Sequence, residues 1–260
     1  MVVNSRIRIM LIILTISSYL MVSVFTAYSQ NIVPNYSFEE YYSLPNEPND
    51  IHKCKYWYTP RELSPDFFHS KASTPEYNYT TPIVSIPNNI FGYQKTKTGN
   101  AYIGITNYRN DLNDYTFREM VAVKLTELLK KNSMYSISFY VSLAERSMYF
   151  HPVFGVTLSP DSLALVKTKY DYGTVITSNS ITVKVDSIGN DTANWHLVQT
   201  TYKAKGDEQY LYIGITKKSM CKIRYWTTKY FRKTGWGDRA YSYYYIDDVS
   251  VIKVKEESVE

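Results

Sequence analysis

The chain has 260 residues with 29 basic and 24 acidic side chains, a formal charge of +5 that by itself selects no partner. No apolar run beyond the first thirty residues approaches membrane-spanning length, which excludes a transmembrane span in the mature chain. Two cysteines are too few to define a disulfide framework.

Arg6 and Arg8, an apolar run from Ile9 to about Phe25, and Ala27-Tyr28-Ser29 before Gln30 form the charged, apolar and small-residue regions of an export signal. Residues 1–29 are therefore assigned to a removed signal peptide, residues 30–254 to one domain and residues 255–260 to a charged tail. An uncleaved anchor helix is the alternative; the Ser and Thr content of the run and its Ala-x-Ser ending favour cleavage. The destination is extracellular, cell-surface or periplasmic.

The mature chain opens on Asn31-Ile-Val-Pro-Asn-Tyr-Ser-Phe-Glu-Glu40 and nearly closes on Tyr243-Tyr-Tyr-Ile-Asp-Asp-Val-Ser-Val251. An apolar strand with carboxylates in mid-run must hide, pair or metallate them, because an unpaired ionised carboxylate is expensive to bury. Side by side, the two ends would let Glu39 and an Asp of the closing strand share a cation.

Between them, strand patterns recur. Met134 to Leu143 alternates Tyr135, Ile137, Phe139, Val141 and Leu143 against Ser136, Ser138, Tyr140 and Ser142, which predicts a half-buried antiparallel strand. Similar alternation covers Met120 to Leu125, Val153 to Leu158, Ile181 to Val185, Trp195 to Tyr202, Gln209 to Ile215 and Tyr243 to Val254, and a further strand, Ala101 to Thr106, follows a turn. Turn chemistry at Thr98-Gly99-Asn100, Lys130 to Ser133 and Lys205-Gly206-Asp207 separates them. No long amphipathic helical pattern appears, so the expected fold is all-β: a two-sheet antiparallel jelly-roll sandwich with long loops. Glu40 to Tyr93, rich in Pro, Asn, Ser and Tyr, predicts ordered loops with one short strand around Lys55 to Tyr58; its aromatic residues argue against disorder.

Cys54 and Cys221 are either a disulfide tying an early loop to a late one, as suits an exported chain, or two unrelated thiols. The late region is also the most basic. Lys217, Lys218, Lys222, Arg224, Lys229, Arg232, Lys233 and Arg239 share one stretch with Asp238 as its only acid. Such a stretch is either a solvated loop or an attractor of anionic glycan, lipopolysaccharide or nucleic acid; export argues against nucleic acid.

The two terminal motifs, Ile86 to Gln94, Gly99 to Ile105 and Tyr135 to Ala144 together resemble the exported N-terminal β-sandwich domain of Bacteroidetes OmpA-like cell-surface proteins. More distantly they resemble galactose-binding-like jelly-roll carbohydrate-binding modules. The resemblance implies a structural calcium near the sandwich edge, which would fall to Glu39 and to Asp247 or Asp248. Period-two geometry sends the two aspartates to opposite faces unless a bulge intervenes, and Asp247 is the first choice. Hydrogen bonds from these acids to backbone amides are the alternative. The chain departs from the resembling proteins in lacking a following peptidoglycan-binding domain and in carrying the basic, aromatic insertion.

Aromatic residues make up 16% of the chain, with 27 tyrosines. Flat rings with polar edges suit the apolar faces of sugars. Candidate platforms are Trp57 and Tyr58, then Tyr149 and Phe150, and above all Trp226, Tyr230, Phe231 and Trp236 interleaved with Arg224 and Arg232. Any one of these rings can instead be a packing residue. Catalytic patterns are sparse: the four histidines lack metal-ligand spacing, and no nucleophile elbow, phosphate loop or dinucleotide fingerprint occurs. Glu119, Glu145 and Asp171 are available for a glycosidase pair, but nothing in the sequence pairs them. The expectation is a secreted, non-catalytic binding module for polysaccharide or envelope glycan. Second comes an adhesive module with an envelope protein partner, and third a glycan-active hydrolase.

Overall fold

The computed structural model describes residues 30–60, 63–73, 83–110, 116–162, 171–172, 179–185, 187–214, 224–225 and 241–254. The export-signal assignment and the charged tail lie outside them.

Alternation sets the strands. In chain order they are β1 (Trp57–Tyr58), β2 (Asp66–His69), β3 (Asn88–Asn89), β4 (Gly92–Tyr93), β5 (Ala101–Asn110), β6 (Thr116–Phe117), β7 (Met120–Lys124), β8 (Met134–Leu143), β9 (Tyr149–Phe150), β10 (Val153–Ser159), β11 (Asp171–Tyr172), β12 (Ser180–Lys184), β13 (His196–Lys203), β14 (Tyr210–Gly214), β15 (Arg224–Tyr225) and β16 (Tyr241–Lys253), with a short 3-10 turn at Asp50–Lys53. One sheet runs β1-β7-β14-β10-β12. The other runs β11-β6-β5-β16-β8-β13, with β2 also paired to β5. All pairings are antiparallel except β11 with β6. The fold is the expected two-layer jelly-roll sandwich.

The core lies between the layers. Val121, Val123, Phe154, Val156, Leu158, Leu211 and Ile213 face Ile103, Ile105, Ile137, Phe139, Val141, Tyr244 and Ile246, as period-two geometry requires of strands with one buried face. On β8 the alternation holds as read, except that Ser142 is also buried beneath Gln94. β10 is buried along its whole length, on both faces.

The two chain ends meet. Asn31 donates through Nδ2 to Val249 O at 2.9 Å and accepts from Val251 N at 2.9 Å, Ile32 N donates to Val251 O at 3.1 Å, and Val249 N donates to Tyr36 O at 2.9 Å. Opening and closing motifs are thus adjacent parts of one body.

The early region carries more order than its composition suggests. β2 pairs with β5 from Asp66 opposite Gly104 to His69 opposite Ala101. All four residues of Asp-Phe-Phe-His are buried, and its two adjacent phenylalanines between polar residues show no period of two, which is why a period-two search passes over it.

Candidate functional site: the terminal-motif edge and its exposed tyrosines

Asn35 organises the surface nearest the opening motif. Its Nδ2 donates to Glu40 O at 2.8 Å and Lys55 O at 3.0 Å and lies 3.4 Å from Cys54 Sγ, while its Oδ1 accepts from Glu40 N at 2.8 Å. Its own carbonyl accepts from Trp57 Nε1 at 3.0 Å. These bonds clamp residues 35–42 against 53–57, and Tyr41 bridges to Cys54 with both directed inward. The neighbours of that inward row therefore turn outward.

Trp57 is 2% exposed and tilts against Phe38 with ring centres 4.9 Å apart. That corrects its assignment as a sugar platform: the indole is a core residue on the inner face of β1. Tyr58 turns to the outer face and packs half-buried with Met120, Ala122 and Tyr212; burial pushes its phenol up. Three other rings of this surface are open, and no sequence pattern marks them: Tyr42 is 75% exposed, Tyr56 53% and Tyr36 50%. Tyr36 and Tyr56 each follow a residue of the Asn35–Lys55 hydrogen bond. Lys55 Nζ lies 5.9 Å above the Tyr42 ring centre and 4.0 Å from Glu40 Oε2. Tyr56 has φ +70°, a conformation that is a true outlier for a bulky side chain and persists only where its surroundings over-determine it. Here the Asn35 clamp does so.

The suggested partner of Cys54 in a disulfide, Cys221, is not among the residues placed by the structure. Cys54 is a free, buried thiol, pushed up by burial.

Next to this surface, the carboxylates of the two terminal motifs converge on one turn. Glu39 Oε1 accepts from Asn100 N at 2.7 Å and Ala101 N at 3.0 Å, and Oε2 takes Asn100 Nδ2 at 3.4 Å. A β-carbon on Gly99, whose φ is +60°, would lie 2.2 Å from Glu39 Oε1, so a glycine makes room for this seat. Asp247 is fully buried; its Oδ2 accepts from Lys97 N and Thr98 N at 3.0 and 3.3 Å, and its Oδ1 from Asp248 N at 2.8 Å. Burial, then the Asp248 carboxylate, push it up to about 8. Asp248 accepts from Thr98 Oγ1 at 2.6 Å. A register shift between Asp247 and Ser250, with Asp248 at φ +50°, brings both aspartates to this turn. Among the described residues no three His, Cys, Asp or Glu converge as a metal cluster. The acceptors with most capacity left are Glu39 Oε2 and Asp248, not Asp247.

A second aromatic region is closed. On the outer face of the β5–β16 sheet, Phe68, Tyr102, Tyr243 and Tyr245 are roofed by Ile83, Val84, Ile86, Ile90 and Phe91, with Trp195 at one side. Phe91 stacks on Tyr243 at 3.7 Å and 11°. Asn89 donates to Tyr102 Oη at 3.1 Å and accepts from Tyr245 Oη at 2.8 Å, Tyr102 Oη donates to Gln94 O at 3.2 Å, and Arg146 Nη1 donates to Ile90 O at 2.7 Å.

Tyr149 and Phe150 are half-buried in β9, which pairs with β15 so that Arg224 lies opposite Phe150. The Arg224 side chain, Trp226, Tyr230, Phe231, Arg232 and Trp236 lie outside the described residues. Of the acids weighed for hydrolysis, Glu119 is buried and bonded through both oxygens, to Ser64 Oγ and Thr106 N, each at 2.6 Å. Glu145 accepts from Tyr93 N at 2.9 Å, and the Asp171 side chain lies outside the described residues.

No family model matches the chain, and no curated protein matches it. Among solved structures it is similar to the CBM22-1 xylan-binding domain of Xyn10C from Paenibacillus barcinonensis, at 15% identity over 88% of this chain and 98% of that one, with a TM-score of 0.41. It is also similar to the K1 cleaved adhesin domain of Lys-gingipain from Porphyromonas gingivalis, at 12% identity over 84% and 96% with a TM-score of 0.35. A third is the N-terminal cellulose-binding domain of β-1,4-glucanase C from Cellulomonas fimi, at 12% identity over 64% and 86% with a TM-score of 0.28. Likenesses this loose add no residue and no ligand to the site described above. Among the described residues no helix is long and apolar enough to cross a membrane.

Proposed function

We propose that the protein is an exported, non-catalytic binding module for polysaccharide or envelope glycan, and that Tyr36, Tyr42 and Tyr56 form part of its contact surface. One observation carries this reading: Tyr56 is held in a left-handed backbone conformation with its ring in solvent, beside two further exposed tyrosines. A tyrosine has only two side-chain torsions to immobilise, and with the backbone of Tyr56 already held, a sugar stacking on its ring pays little further ordering cost. The aromatic and basic residues Trp226, Tyr230, Phe231, Trp236, Arg224 and Arg232 belong to the same proposal as a second contact region.

Affinity electrophoresis across neutral and acidic polysaccharides tests it. Retention that weakens in Tyr42→Ala and Tyr56→Ala supports the tyrosine surface, and loss in Trp226→Ala and Trp236→Ala supports the insertion. Retention by no polysaccharide removes the glycan reading. Capture of an envelope protein that competing sugar does not reverse would instead favour the adhesive module.

A structural calcium at the terminal-motif edge is a further part of the proposal, with Glu39 and Asp248 as hard oxygen donors flanking one turn. Its expected signature is a melting temperature raised by millimolar calcium and lowered by a chelator. Superimposed melting curves remove the ion.

A further inference from the structure

The tyrosine surface carries an open pair of charges beside its most exposed ring. Tyr42 N donates to Lys53 O at 2.8 Å and Lys55 N to Glu40 O at 2.9 Å, on either side of the bridge between Tyr41 and Cys54. The two segments therefore run antiparallel, with Glu40 opposite Lys55 and Tyr42 opposite Lys53. Because Tyr41 and Cys54 are directed inward, period-two geometry sends Glu40, Tyr42, Lys53 and Lys55 to the outer side. Glu40 and Tyr42 then stand about 7 Å apart along one face.

The two lysines are engaged differently. Lys53 is drawn to Asp50, whose Oδ2 it reaches at 2.8 Å, and to Asn46 Oδ1. Asp50 is itself buried, accepts from Asn46 N and Glu47 N at 3.0 Å each, and lies 4.0 Å from His52 Nε2. Lys55 stays on the open side, its Nζ 4.0 Å from Glu40 Oε2 and 5.9 Å above the Tyr42 ring centre. The Lys55 side chain is 39% exposed and that of Glu40 53%, so the carboxylate is the more open of the two. An exposed ion pair adds little to stability, so the weight of these charges falls on what approaches the ring.

We propose that Glu40 makes the tyrosine surface selective for uncharged glycan. The inference rests on the reading of that surface as a glycan contact. A sugar stacked by its apolar face on Tyr42 turns its hydroxyl rim toward Glu40, and a carboxylate accepts from a hydroxyl more strongly than a neutral oxygen does. A uronate or sulfate in the same place meets a like charge, while the ammonium of Lys55 is already shared with Glu40. Selectivity of this kind comes from a built-in repulsion as much as from attraction. The stretch from Lys217 to Arg239, with Asp238 as its only acid, has the opposite sign. The two proposed contact regions therefore favour glycans of different charge.

Affinity electrophoresis of the full chain against a neutral β-glucan, a neutral mannan and polygalacturonate tests the role of Glu40. Retention that Tyr42→Ala abolishes is the share of the tyrosine surface. In the parent that share should be found with a neutral polymer and not with polygalacturonate. Glu40→Gln should create Tyr42-dependent retention by polygalacturonate, roughly tenfold above the parent. The gain should vanish in about 0.5 M salt and be reversed by adding Lys55→Gln to the same chain. Glu40→Ala removes the same charge and should gain likewise, so the outcome does not hang on the folding of one variant. Tyr42-dependent retention of the parent by polygalacturonate, or Glu40 variants that match the parent on every polymer, would overturn the selectivity and leave the glycan reading standing. Retention by none of the three polymers that depends on Tyr42 removes the tyrosine surface itself and this inference with it.

Discussion

The molecule contains two aromatic surfaces with opposite fates. On the outer face of β5 and β16 the rings of Tyr102, Tyr243 and Tyr245 lie under residues 83–94, and each hydroxyl has a partner. Around Asn35 the rings of Tyr36, Tyr42 and Tyr56 lie in the open, and among the described residues their hydroxyls have no protein partner. A tyrosine whose hydroxyl and ring are both satisfied within the chain is structure; one satisfied at neither end is available. Ring count therefore says little about binding until the roof is known.

Substitutions sharpen the contrast. Phe68→Ala, beneath the roof, should destabilise the fold by about 3–5 kcal/mol in denaturant titration. Trp57→Ala should fall in the same range of about 3–5 kcal/mol, a loss of stability and not of a contact surface, because the indole fills the core. Asn35→Ala removes the clamp and should lower stability by about 2–3 kcal/mol; it should also relax Tyr56, so that glycan retention falls further than stability alone explains. Tyr42→Ala should leave stability within about 0.5 kcal/mol while weakening glycan affinity about tenfold, roughly 1.4 kcal/mol. A Tyr42→Ala protein that binds as well as the parent would dissolve the distinction between the two surfaces.

Most of the sheet architecture was legible from period two. β8 falls on Met134–Leu143 as read, and β7, β10, β12, β13 and β14 begin within a residue of expectation. β2 was not legible, because Asp66-Phe-Phe-His69 sets two apolar residues side by side between polar ones and so shows no period of two. Site residues were harder still. Trp57 and Tyr56 are neighbours with opposite orientations, and the left-handed turn at Tyr56, beside the bond from Asn35 to Lys55 twenty residues on, decides which ring reaches water. Likewise Asp247 was favoured over Asp248 on geometry that a bulge overrides. The adjacency of the terminal motifs was readable because carboxylates in apolar runs require partners, and the amides of residues 97–101 supply them.

β16 lies at the centre of its sheet, between β5 and β8, yet it is the last of the described strands. Until it arrives, the flanking strands have no neighbour to join them, and the hydrogen bonds of Asn31 to Val249 and Val251 close a loop of more than two hundred residues. Such high contact order makes folding slow and leaves strand edges bare on the way. The chain is accordingly expected to acquire its native topology only after synthesis of the final segment. Removal of residues from Tyr241 onward should yield an aggregating polypeptide, not a smaller domain.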